Sequence, residues 1–338
     1  MRVKKKRIEG DNIMNKKFKI LTIAVAAAAI FTACGSSEGN NQNTPQPSSA
    51  PVSEAPKSEA PASEKPSEEQ KSSFDTSNDI VVISREDGSG TRGAFIELTG
   101  VEGKNDAGEK IDNTTEDASI KNSTAAVITT VSGNDYAIGY ISLGSLNDTV
   151  KALKVDEVEA TADNIKAGTY KIARPFNIAT KEGISEVAQD FIDFILSKEG
   201  QDVVTENKYI AINEKALAYA GTKPEGKIVV AGSSSISPVM EKLKEAYEKV
   251  NTNAVIEIQT SDSSTGMTAT TDGLCDIGMA SRALKDSELE KGLIPQVIAM
   301  DGIAIIVNNN NTTENISVDT IKKIFTGEAA TWEEALAE

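Results

Sequence analysis

The stretch that most constrains this chain is Ile80-Val-Val-Ile-Ser-Arg-Glu-Asp-Gly-Ser-Gly-Thr-Arg-Gly-Ala-Phe95. Its apolar opening, bounded by Gly and hydroxyl residues, reads as a buried strand, and the turn after it leads into the start of a helix. A strand that feeds a tight Gly/Ser turn into a helix aims several backbone N–H groups at one point, where the helix dipole adds partial positive charge. That point is an anion site. Arg85 supplies a planar cationic fork suited to a tetrahedral oxyanion, and Ser89 and Thr91 supply hydroxyl donors.

The theme then recurs. Lys227-Ile-Val-Val-Ala231 reads as a strand, Gly232-Ser-Ser-Ser-Ile-Ser-Pro238 as a Gly/Ser turn, and Val239, Leu243, Ala246, Tyr247 and Val250 as one face of a helix. Pro238 suits a first helical turn, where its missing N–H is harmless. Each half also holds a hydroxyl-rich helix start. In the first, Asn122 or Ser123 caps a helix of about ten residues; in the second, Ser261-Asp-Ser-Ser-Thr-Gly-Met267 opens a helix over 266–272. Each half closes on an x-Ile-Gly-x strand, Ala137-Ile-Gly-Tyr-Ile-Ser142 and Asp276-Ile-Gly-Met-Ala-Ser-Arg282. Two α/β lobes that face one another with helix N-termini can fully desolvate a small oxyanion. Between these landmarks the pattern predicts strands over 136–141, 150–155, 175–180, 255–259 and 297–307. It predicts helices over 162–167 and 318–325, one long amphipathic helix over 184–207, and a helix-to-loop bridge over 213–226. Cys275, Met267 and Met279 read as core.

Gly88-Ser-Gly-Thr-Arg-Gly93 also fits G-x-G-x-x-G, the turn of a dinucleotide fold. That fold needs a second strand ending in Asp or Glu about 20 residues on. The segment there, Gly108-Glu-Lys-Ile-Asp-Asn-Thr114, is polar and loop-like, and no Walker A pattern occurs. The chain has no His, which removes Ser-His-Asp triads, His-ligated metals and His acid–base chemistry together. Its two cysteines, Cys34 and Cys275, stand in unrelated contexts and form neither a disulfide nor a zinc cluster. No metal and no cofactor is expected. A formal charge of -16 makes nucleic acid a poor partner, because phosphate backbones select basic faces. It does not oppose a small anion, since dipoles in a desolvated cleft act at short range while surface charge is screened beyond roughly 8 Å.

Residues 1–34 read as an export signal. Lys16, Lys17 and Lys19 form a basic region, Ile20–Phe31 is an apolar run too short to span a bilayer in the usual way, and Phe31-Thr-Ala-Cys34 resembles a bacterial lipobox. The lipobox resemblance makes Cys34 the lipidation site of a protein that starts at Met1 or at Met14. Residues 35–77 read as a disordered linker: six of the ten prolines lie there, and a pentad recurs as Ser53-Glu-Ala-Pro-Lys, Ser58-Glu-Ala-Pro-Ala and Ser63-Glu-Lys-Pro-Ser. Such a tract cannot bury enough surface to offset its ordering entropy, and it stays extended. It is a stalk off a membrane, or else a mere spacer.

Taken together, Ser84-Arg-Glu-Asp-Gly-Ser-Gly-Thr-Arg92, Ala231-Gly-Ser-Ser-Ser235, Ser263-Ser-Thr-Gly266, Asp276-Ile-Gly-Met-Ala-Ser-Arg282, Met300-Asp-Gly-Ile-Ala304, Ile324-Phe-Thr-Gly327 and Ala137-Ile-Gly-Tyr140 resemble the phosphate-binding protein of the Pst-type ABC transporter. The resemblance covers residues 78–338. It implies an α/β fold, a type II-like periplasmic-binding-protein clamshell with a mixed sheet flanked by helices in each lobe. Carried over motif by motif, it implies that Arg85, Ser89, Gly90 and Thr91 bind phosphate from one lobe and Ser234, Ser235 and Ser263 from the other. Some family members place a proton-accepting Asp where this chain has Ser281; Asp87 is then either the available carboxylate or a helix cap.

The motif order differs from the family's, in which the Ala-Gly-Ser-Ser-Ser segment comes first. Either the chain is circularly permuted, re-cut between Trp332 and Ile80 with the old ends joined through 213–226, or 78–213 is a leftover half of a truncated or fused gene. Permutation implies one lobe from 78–173 plus 304–338, another from 174–303, and hinge strands near 176–180 and 299–307. The implied function is that of a monomeric, non-enzymatic lipoprotein on the extracytoplasmic face of the cell membrane. It would capture inorganic phosphate and pass it to ABC permease subunits. The alternatives are a binding protein for sulfate or molybdate and a phosphate-ester hydrolase, the last opposed by the missing His and the absence of a G-x-S-x-G elbow.

Overall fold

The computed structural model describes residues 74–337. The export signal, Cys34 and nearly all of the expected linker lie outside the described residues. Phe74 already packs its ring against Tyr136 and Trp332, a few residues ahead of the expected start at 78.

In chain order the strands are β1 (Val81–Arg85), β2 (Glu102–Lys104), β3 (Lys110–Asp112), β4 (Ser119–Lys121), β5 (Ala137–Ser142), β6 (Lys151–Ala152), β7 (Lys154–Val155), β8 (Ala173–Thr180), β9 (Gly226–Ser233), β10 (Ala254–Ser261), β11 (Ile277–Ala280), β12 (Ile294–Val307) and β13 (Asn315–Ile316). The α-helices are α1 (Gly90–Thr99), α2 (Thr124–Ser132), α3 (Ala162–Lys166), α4 (Glu186–Leu196), α5 (Lys198–Glu206), α6 (Ser237–Val250), α7 (Ser263–Thr271), α8 (Asp286–Leu289), α9 (Val318–Thr326) and α10 (Trp332–Leu336).

One mixed sheet runs β10-β9-β11-β8-β12-β5-β1-β4, with β6 paired beside β12. Its ends are parallel: β10, β9 and β11 at one side, β5, β1 and β4 at the other. Strands such as β5 and β11 carry unbroken buried runs because helices cover both faces. The middle is antiparallel, where β8 and β12 pair from Ile294↔Thr180 to Gly302↔Ala173. The last part of β12 leaves β8 and pairs with β5.

This long strand serves two cores. Ile303–Val307 joins Ile83, Phe95, Ile138, Tyr140, Phe325 and Trp332 in the first. Ile298 and Ala299 join Phe176, Phe191, Phe194, Val230, Met240 and Tyr247 in the second. β8 and β12 are therefore the strands through which the cores connect.

The ends of the described chain meet at the first core. Ile80 N donates to Ala330 O at 2.7 Å, Glu333 N to Thr76 O at 2.7 Å and Trp332 N to Asn78 O at 3.3 Å. The 213–226 segment runs over the second core, anchored where Tyr219 Oη and Tyr247 Oη both donate to the buried Asp190 carboxylate, at 2.5 and 2.8 Å.

Three expectations need correction. The single helix over 184–207 is two helices, broken at Ser197. The Ser197 hydroxyl donates to Phe194 O and caps the next helix at Gly200 N. The corner brings Phe194 O within 2.2 Å of where a Gly200 Cβ would stand, so only glycine fits. The 213–226 bridge holds no helix; its polar groups bond to α4 and α5 instead. The polar segment near 110, expected as loop, is half of the β2–β3 hairpin. That hairpin lies apart from the main sheet, so no second dinucleotide-fold strand follows α1.

Candidate functional site

The opening stretch folds as its residue types dictate. Ser84 and Arg85 end β1 against Tyr140, whose hydroxyl pairs with Ser84 Oγ at 2.8 Å and accepts Arg85 N at 3.2 Å. Burial pushes the Tyr140 phenol up to about 12, so it remains a neutral hydroxyl here. Ser89 N closes the turn on Glu86 O at 2.9 Å. Ser89 Oγ then caps α1 by accepting Arg92 N at 3.3 Å, a standard use of a hydroxyl at a helix start. Ser123 caps α2 and Asp262 caps α7 in the same way. The N-termini of α1 and α2 from the first core, and the β9–α6 turn and α7 from the second, converge.

The convergence is by direct contact between the cores. Arg85 Nη2 donates to Ser234 Oγ at 3.1 Å. Thr91 Oγ1 pairs with Ser235 Oγ at 2.8 Å. Thr124 sits between them, its hydroxyl 3.2 Å from Ser235 Oγ and its N–H donating to Ser234 Oγ at 3.4 Å. On the other side Ser281 Oγ accepts from Ser233 Oγ at 2.9 Å and lies 3.4 Å from Ser263 Oγ. Ser264 N donates to Gly88 O at 3.2 Å, a further tie across the two cores. All of these hydroxyl-bearing residues except Ser264 are buried.

Arg85, Gly90, Thr91, Ser234, Ser235, Ser263 and Ser281 thus lie in one cluster, and Ser89 adjoins it as the cap of α1. Asp87 does not. Its side chain is 98% exposed and pairs with Arg92 Nη1 at 3.0 Å. The turn points it outward, and Ser89 holds the cap position instead. The carboxylate at the site is Glu86, which accepts from Arg85 Nε and Nη2 at 2.7 Å each. This bidentate bond fixes the guanidinium plane.

Gly90 is one of the places where the two cores meet closely. A Cβ there would lie 2.5 Å from Ser263 Oγ and 2.9 Å from Ser281 Oγ. Gly90→Ala should therefore hold the cores apart without straining either one. The expected result is a tenfold or greater loss of oxyanion affinity (about 1.4 kcal/mol or more) with an unchanged Tm, read by calorimetric titration and thermal melting. A fall in Tm with full affinity would show that the contact is not made on binding.

A second polar cluster sits where β8 and β12 pair, with Asp301 opposite Arg174. Arg174 Nη2 pairs with Asp301 Oδ2 at 3.2 Å, Arg174 Nη1 donates to Ser281 O at 3.0 Å, and Ser142 Oγ donates to Asp301 Oδ1 at 3.0 Å. Burial pushes the Asp301 carboxyl up to about 6, against the pull of Arg174 and Ser142. Because this folded-state value lies above the unfolded one, the folded protein holds the proton more tightly. Through this group stability should fall as pH rises from about 4 to about 6. Carbon-13 NMR of the Asp301 carboxyl checks the premise: a midpoint near 4 would contradict it.

Thr124, Glu86 and the Arg174–Asp301 pair are missing from the expected site. Thr124 carried a signal, since it follows the cap residue Ser123. The pair carried none, because its members are 127 residues apart. Among the described residues no group of His, Cys, Asp or Glu could hold a metal ion, and no helix is long and apolar enough to cross a membrane.

The PBP superfamily domain matches residues 68–199 and 217–338. Phosphate-binding protein PstS 2 of Streptococcus agalactiae serotype V is 55% identical over 262 residues, covering 77% of this chain and 89% of that one. The crystal structure of the phosphate-binding protein of a phosphate ABC transporter from Streptococcus pneumoniae TIGR4 aligns with a TM-score of 0.61 and 48% identity, over 76% of this chain and 100% of that chain. Phosphate-binding protein PstS of Bacillus subtilis is 32% identical over 114 residues, only 33% of this chain and 38% of that one.

Proposed function

Since this chain belongs to the PstS-like phosphate-binding proteins of the PBP superfamily, we propose that it captures inorganic phosphate between its two cores and delivers it to the permease of a phosphate ABC transporter. The observation that carries the reading is the contact of Arg85 and Thr91 with Ser234 and Ser235. A guanidinium and hydroxyls from one half meet hydroxyls from the other in a buried site at helix N-termini. Phosphate here exchanges water for fixed donors. Each core then acts as one lobe, and bending at β8 and β12 opens and closes the cleft. No covalent chemistry is involved. Calorimetric titration with phosphate beside a phosphomonoester turnover assay tests this: phosphate binding without turnover is expected, and turnover without phosphate binding contradicts it.

The re-cut order belongs to the same reading. The chain ends meet at Ile80 and Ala330 in the first core, and 213–226 joins α5 to β9 across the second. A match to the Bacillus subtilis protein over only a third of each chain fits a relative whose halves stand in the other order. A gene re-cut within 213–226, with the present ends joined, should fold and bind phosphate; an insoluble product would count against permutation. The lipobox at Cys34 supports a lipid anchor on the extracytoplasmic face, with the Pro-rich tract as a stalk. Cys34→Ser should release the protein from membranes, and retention would contradict the anchor.

A further inference from the structure

Arg174 is the one charged residue of β8 and Asp301 the one charged residue of β12. The register sets them opposite each other, where the two strands join the cores. Their side chains are 2% and 0% exposed. A buried ion pair is weak evidence of stability, because desolvation offsets much of its attraction; its best-attested use is to fix a register or a switch.

The bonds around the pair run from one core to the other. Ser142 ends β5, in the first core's part of the sheet, and its Oγ donates to Asp301 Oδ1 at 3.0 Å. Asp301 is paired to β8 just before β12 passes to β5 at Ile303. Asp301 Oδ2 meets Arg174 Nη2 at 3.2 Å. Arg174 Nη1 then donates to Ser281 O at 3.0 Å. Ser281 directly follows β11, whose Ile277 and Met279 belong to the second core. The β11–β8 ladder stops at Ala280↔Asn177, so the Arg174 side chain carries the link on where backbone pairing ends.

The guanidinium is stretched between these two ends. Its carbon stands 5.3 Å from the centre of the Phe176 ring, which belongs to the second core. Its Nε has no hydrogen-bond partner, a cost that a side chain placed only for its own satisfaction would avoid. The residue it reaches organises the second core's hydroxyls. Ser281 N donates to Ser263 Oγ at 3.1 Å, and Ser281 Oγ accepts from Ser233 Oγ at 2.9 Å.

Resting on the phosphate reading, we infer that Arg174 is a positioning residue for phosphate capture. Held by Asp301, it ties Ser281 to the first core across the strands that bend, and this tie prolongs the closed state. It acts through Ser281 and not on the ligand. Losing it speeds phosphate release and leaves entry almost unchanged, because the donors that meet phosphate are all still present.

Two variants separate this role from simple packing. Arg174→Met with Asp301→Asn removes both charges together, so no lone charge stays buried, and it keeps an apolar stem over Phe176. Arg174→Lys keeps the charge beside Asp301, and with it the fold, but lacks the planar fork that holds Asp301 and Ser281 O at once. Rapid filtration of protein loaded with radiolabelled phosphate gives the release rate, calorimetric titration the affinity, and thermal melting the stability. Both variants should release phosphate about tenfold faster or more, with an association rate within about threefold of the wild type. Arg174→Lys should do so with a Tm within about 3 °C of the wild type. It decides the matter even where the double variant fails to fold. Wild-type release rates in the folded variants would overturn the inference while leaving phosphate capture intact. A wild-type protein that binds no phosphate would overturn both.

Discussion

Arg85→Ala should abolish phosphate capture at ordinary concentrations while leaving the protein folded. Arg85 has a side chain only 3% exposed and is the cation that reaches directly across to the second core. Truncating a buried, hydrogen-bonded charge of this kind costs about 2–5 kcal/mol of binding, which is roughly thirty- to several-thousand-fold in affinity. The fold should tolerate the change because the partner left behind, Glu86, is 22% exposed and can take up water. Arg85→Lys should recover only part of the loss. An ammonium keeps the charge but cannot satisfy Glu86 and Ser234 with one planar fork. Calorimetric titration gives the affinity and far-UV circular dichroism the fold; a folded variant with normal affinity would remove the opening turn from the site.

The second large effect is on stability. Trp332 lies at the start of the last helix, fully buried, its Nε1 donating to Tyr136 O at 3.2 Å and its ring against Phe74. Buried Trp→Ala changes cost about 3–5 kcal/mol. Here the change should also loosen the start of the described chain, because Asn78 and Thr76 bond to the backbone of Trp332 and Glu333. A fall of roughly 6–20 °C in Tm follows. Phosphate added at saturation should restore part of it by mass action, since the cluster itself is untouched. A Tm within a degree or two of the wild type would mean that the two ends do not complete one core.

Much of this arrangement was legible in the residues. Strand-to-helix turns rich in Gly and Ser recur at 84–91 and 231–238, and such turns have few other ways to fold. The first turn marked Arg85 and Thr91 as anion donors, and the family resemblance, carried over motif by motif, added Ser234 and Ser235 from the second. Asp87 shows the limit. Nearness in sequence to Arg85 says nothing of where a turn points a side chain, and Arg92 was the stronger partner. The helix over 184–207 failed for a related reason. Apolar periodicity carries through a helix–helix corner, and only the Ser197 and Gly200 geometry reveals the break. The Arg174–Asp301 pair was invisible because it forms only once β8 and β12 are side by side.

The most direct test of the central claim is a crystal structure of the protein grown with phosphate. One phosphate is expected between the two cores, within hydrogen-bond distance of the Arg85 guanidinium and of hydroxyls or N–H groups from both the α1 turn and the β9–α6 turn. A phosphate held by one core alone, or seated away from Arg85, would contradict it.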